Sequence, residues 1–101
     1  MKKFKHISYF ENILNEQIEI IEKVNKLLNK IKSSQKEYKK LTKYYYSEQR
    51  DDDLIADEKG EIPPSIKRGV LSEDGIYNLI TDYQQTAIEM LEVATAMIKI
   101  W

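Results

Sequence analysis

The sequence predicts an all-α protein: two long antiparallel helices with a shorter middle helix, packed as a coiled-coil-like three-helix bundle. Three observations point there. No Gly or Pro occurs before position 60, and the 101 residues hold only three Gly and two Pro. Charged residues make up 33%, above the ordinary share of about 25%, as long solvated helix faces require. Apolar residues recur in steps of three and four at both ends of the chain, the spacing that brings side chains onto one helical face.

The first helix is expected over about 4–46. Phe10, Leu14, Gln17, Ile21, Val24, Leu28, Ile31, Gln35, Tyr38 and Tyr45 follow a heptad seam, and Ile13, Ile20, Leu27 and Leu41 widen it into a face. So broad a stripe suits a bundle better than a narrow two-stranded seam. Ser33-Ser34 is the one soft spot, where the sequence leaves open a kink or a short break. A shorter helix is expected over about 47–58. Ser47 caps it and Glu48 stands in its first turn, where negative charge complements the helix dipole. Gly60 ends it.

An ordered loop is expected over 59–71. Pro63-Pro64 stops any helix, and Ile62 before them is held extended. Pro64 to Arg68 suits one helical turn closed by Gly69. Ile66, Val70 and Leu71 are apolar, so the loop is expected to pack down. Ser72 then caps a last helix over 73–100, with Glu73 and Asp74 in its first turn and Leu71 and Ile76 placed as a hydrophobic staple. Ile76, Ile80, Tyr83, Ala87, Met90, Ala94, Met97 and Trp101 form its seam. The whole reads as a single helical domain, 1–101.

Charge is unevenly spread beneath a net −1. Residues 1–46 carry eleven Lys and five Glu, residues 47–64 seven acids and two bases, and residues 65–101 five acids and three bases. Basic and acidic segments facing each other favour antiparallel packing. The chain has no Cys, which removes disulfide scaffolds, thiolate zinc sites and thiol catalysis and suits a reducing cytoplasm. No apolar signal core follows Lys2, Lys3 and Lys5, and no apolar stretch is long enough to cross a membrane.

The stretch Tyr45-Tyr46-Ser47-Glu48, Ala56-Asp57-Glu58-Lys59-Gly60, Lys67-Arg68-Gly69-Val70-Leu71-Ser72-Glu73-Asp74 and Ile76-Tyr77 resembles a family of short bacterial and phage proteins, the domain of unknown function 4298. The resemblance covers the C-terminal two-thirds and implies a small helical protein with no assigned activity. The family pattern often carries Trp a few residues after Tyr-Tyr-Ser. Here Arg50 stands near that place, and Leu54 and Ile55 are expected to anchor the segment instead.

No catalytic constellation emerges. His6 is the only histidine, and Ser33, Ser34, Ser47, Ser65 and Ser72 have no neighbouring base to activate them. The acids from Asp51 to Glu61 lack the spacing of a calcium loop and read as a solvated face. No cofactor is expected, and an enzyme is not expected. Lys32, Lys36, Lys39, Lys40 and Lys43 share one helix face, followed by Tyr44, Tyr45 and Tyr46. That is part of a nucleic-acid footprint, though Tyr38, Tyr45 and Tyr46 fall on or beside the apolar seam and read as core. The acidic balance of the chain argues against a dedicated nucleic-acid binder. Arg68 is expected to hold a carboxylate, Asp57 or Glu73, and so fix the loop; the alternative is that Lys67 and Arg68, displayed on the folded loop, contact a partner. Val93 to Trp101 is apolar on most sides, more than one helix contact covers, so Met97, Ile98 and Trp101 are candidate interaction residues.

The leading expectation is a non-enzymatic protein-interaction module in the cytoplasm that binds a protein partner or itself, a homodimer included, and no membrane. Two alternatives stand beside it: a nucleic-acid-binding accessory protein using the Lys32–Lys43 stripe, and a mobile-element inhibitor of a host defence enzyme.

Overall fold

The computed structural model describes residues 2–100 and is all-α; among these residues there is no strand. A 3-10 turn at Lys2–Phe4 leads into α1 (Lys5–Tyr45), followed by α2 (Glu48–Glu58), a 3-10 turn at Gly69–Leu71, and α3 (Gly75–Ile100). One helix is long, at 41 residues, and two are shorter, at 11 and 26. The chain divides into two compact units, Met1–Tyr38 and Lys39–Trp101.

In the first unit α1 runs through Ser33-Ser34 without a break. Each hydroxyl donates back into the helix, Ser33 to the Lys30 carbonyl at 3.1 Å and Ser34 to that of Ile31 at 3.3 Å. The polar side chains are thus satisfied locally and do not pull the backbone from helical form. Lys23 pairs with Glu19 one turn away at 3.1 Å, with both side chains in solvent.

In the second unit Ser47 makes the corner between α1 and α2. Its backbone is extended (φ −93°, ψ 157°), and its Oγ accepts from the Arg50 N–H. The same hydroxyl donates to the Tyr44 carbonyl at 2.6 Å. One side chain therefore satisfies an open N–H at the start of α2 and adds a second bond to the Tyr44 carbonyl, which also accepts the Ser47 backbone N–H at 3.0 Å. Past α2, Gly60 takes φ +72°, the left-handed conformation that glycine adopts without steric cost.

The loop differs from the sequence expectation. The bend over Pro64 and Ser65 closes with Ile66 N–H on the Pro63 carbonyl, and the 3-10 turn falls later, at Gly69–Leu71. It ends where Ser72 becomes extended and donates its backbone N–H to the Gly69 carbonyl. α3 starts at Gly75, not at Glu73. The Ser72 Oγ accepts from Gly75 N–H at 3.1 Å and donates to the Gly69 carbonyl at 2.8 Å, so the residue ties turn to helix across Glu73 and Asp74. Both α2 and α3 pack on this 3-10 turn. Ile76 is the buried apolar residue among those described, and Leu54, Leu71 and Ile80 in the same unit are half-buried.

Candidate interaction site

The best-defined polar cluster gathers around the 3-10 turn. The Tyr44 hydroxyl, at the last turn of α1, donates to Asp53 Oδ2 on α2 at 2.6 Å. Burial raises its pKa from 10.0 to about 12, aided by the hydrogen bond and the negative charge of Asp53 and opposed by the positive charge of Arg50. Arg50 reaches from α2 to the loop: Nε donates to the Val70 carbonyl at 3.1 Å and Nη2 to the Ser72 carbonyl at 3.3 Å. Its guanidinium lies over the Tyr45 ring, 4.7 Å from the centroid, close enough for a cation–π attraction. Arg68 Nη1 donates to Asp57 Oδ1 at 2.6 Å. Tyr44, Asp53, Ile62, Ile66, Lys67 and Leu71 border an open depression of about 320 Å³.

Arg68 thus finds Asp57 of the two carboxylates expected for it. Lys67 is exposed on the rim. Leu54 is half-buried, but Ile55 is 49% exposed and does not anchor α2. The anchor is Arg50, whose fork ties α2 to carbonyls twenty and more residues on. Its position after the Tyr-Tyr-Ser block marked the place; its partners, backbone carbonyls, left no mark in the sequence. The Tyr44–Asp53 pair was equally hidden among the neighbouring Lys and Asp. Tyr38 and Tyr45 are half-buried, whereas Tyr46 is 77% exposed and only rests edge-on against Tyr45, so it is not core.

The remaining candidates lie apart from this cluster. Met97 and Ile98 occupy the last turns of α3, at the opposite end of that helix from Arg68, and both are exposed. Trp101 lies outside the described residues. Lys32, Lys36, Lys39, Lys40 and Lys43 are all exposed on α1. Among the described residues no group of three or more His, Asp or Glu side chains is placed to hold a metal ion, and no helix is long and apolar enough to cross a membrane.

These features define a small all-α protein with a polar junction around its second 3-10 turn and exposed apolar helix faces. The chain belongs to the family described as Domain of unknown function (DUF4298), whose profile matches residues 7–93. No curated protein and no solved structure matches it significantly.

Proposed function

We propose that the chain is a non-enzymatic protein-interaction module whose helices complete their apolar cover against another protein surface. One observation carries this reading: of the large apolar side chains along α1 and α3, most are exposed, and Ile76 is the buried one among the described residues. Contiguous apolar surface beyond a few hundred Å² is rare on proteins that act alone and common where a partner docks. The polar cluster around Arg50 supports a structural role, because its donors are spent on backbone carbonyls and on carboxylates of the same chain. The lack of Cys suits a cytoplasmic setting.

A photocrosslinking side chain placed at Ile21 or Ile98 in cells tests the reading, with Lys26 as a polar-face control. Protein adducts from the apolar positions and not from Lys26 are expected. Adducts equal at all three positions, or none at all, overturn it. The nucleic-acid alternative draws on the five exposed lysines from Lys32 to Lys43. It predicts a DNA or RNA mobility shift that weakens steeply with salt; no shift at low salt ends it.

A further inference from the structure

We infer that a second copy of this chain covers the α1 face between Ile7 and Ile31, running antiparallel to the first; the inference rests on the interaction reading above and names its partner. The unit Met1–Tyr38 consists of one 3-10 turn and the helix that follows. A lone helix cannot bury a face against itself. Its large apolar side chains as far as Leu28 are exposed accordingly, from 36% at Leu28 to 63% at Tyr9, and Ile31 is half-buried. Together the eleven from Ile7 to Leu28 expose on the order of 1,000 Å² per chain, so a pair of such faces reaches the roughly 1,200–2,000 Å² total of a stable interface.

Charge decides which occupant fits. Residues 7–22 hold four Glu and no Lys or Arg, and residues 23–36 hold five Lys and no acid. The helix is acidic in one half and basic in the other. A parallel, in-register copy would lay the five lysines beside five lysines. An antiparallel copy lays each acidic half against a basic half, the arrangement that opposite flanking charges select.

The apolar rows agree. A two-fold axis near Glu19 sets Phe10 against Leu28 of the second copy, Leu14 against Val24, and Ile7 against Ile31. The flanking Glu16 then meets Lys23, and no like charges meet along that flank. Sliding the copies by one heptad toward the C-terminus brings Lys23 against Lys23; sliding the other way brings Glu16 against Glu16. The central register avoids both and keeps the apolar block in full overlap.

The absence of native Cys makes the geometry testable. Wild-type protein should sediment at twice the chain mass at micromolar concentration. Under mild oxidation, a mixture of Phe10→Cys and Leu28→Cys chains should form a mixed disulfide, since bridging needs Cα atoms within about 7 Å. Neither variant alone should crosslink to itself. Self-crosslinking of each variant alone means a parallel pair and overturns the inference. A wild-type chain that stays monomeric to high micromolar concentration also overturns it; Ile21 adducts to a different protein would then leave the interaction reading standing, and their absence would end both. A combined Glu11→Lys, Glu16→Lys, Glu19→Lys, Glu22→Lys variant keeps the apolar face and should dissociate more than tenfold more readily. Unchanged dimerisation of that variant would show that charge does not set the orientation.

Discussion

Tyr44 and Arg50 carry most of the specific chemistry at the junction of α1, α2 and the loop. The raised pKa of Tyr44, about 12 against 10.0, means that the folded chain keeps the phenolic proton where the unfolded chain releases it. The stability from this group is therefore fully present below pH 10 and is lost as pH rises from 10 through 12. Tyr44→Phe should lower stability by about 1 kcal/mol at neutral pH. It should also flatten the loss between pH 10 and 12, as read by denaturant titrations at stepped pH. Arg50→Ala removes two bonds to carbonyls and the contact with Tyr45, and should cost roughly 1–2 kcal/mol. Arg50→Lys should recover little of it, because a point ammonium cannot span both carbonyls as a planar fork does. Arg68→Ala, at a solvent-exposed ion pair, should cost less than about 1 kcal/mol by the same chemical denaturation.

At the scale of the elements, two short segments set where helices stop and start. Ser47 caps α2, so Ser47→Ala leaves the Arg50 N–H without its acceptor, while the Tyr44 carbonyl keeps the backbone N–H of residue 47, and should cost about 1 kcal/mol by thermal or chemical unfolding. Gly75 begins α3 at a close approach: an added Cβ would stand 2.5 Å from Ser72 Oγ and 2.9 Å from the Gly69 carbonyl oxygen. The hydroxyl can rotate away, but the carbonyl belongs to the backbone of the 3-10 turn. Gly75→Ala should therefore cost roughly 1–3 kcal/mol, although alanine is the better helix former by about 1 kcal/mol. A stabilised Gly75→Ala protein would show that the turn yields easily. A serine followed by two acids reads as a cap and first turn, and the Ser72 oxygen does accept from the Gly75 N–H while its proton goes to the Gly69 carbonyl; the regular helix nevertheless begins only at Gly75.

For the whole molecule, the self-pairing proposed for α1 would couple folding to concentration. The melting temperature should rise with protein concentration, because association draws on the folded state alone. Scanning calorimetry across a hundredfold range of concentration checks this, and a constant melting temperature counts against the pair. Raising salt should weaken the proposed pair, since the antiparallel orientation argued for it would depend on partly exposed charges.

The all-α character, the long first helix, the short capped second helix and the interruption at Pro63-Pro64 were all legible in the sequence. They rest on local rules: side-chain periodicity, caps that satisfy open backbone groups, and residues that cannot continue a helix. Family membership was legible too, because the run from Lys67 to Asp74 is specific in residue type. Arg50, by contrast, took its meaning from carbonyls of Val70 and Ser72, and every residue carries a carbonyl, so no side-chain pattern pointed to them. Tyr44 and Asp53 are nine residues apart across a corner whose angle depends on Ser47, and Gly75 is required by its distance to Gly69. The sequence by itself determined which segments are helical and which faces are apolar, since both follow from each residue's own chemistry and spacing. Only the tertiary structure decided which polar groups meet and where α3 begins, because those depend on distances between segments that local preference does not encode.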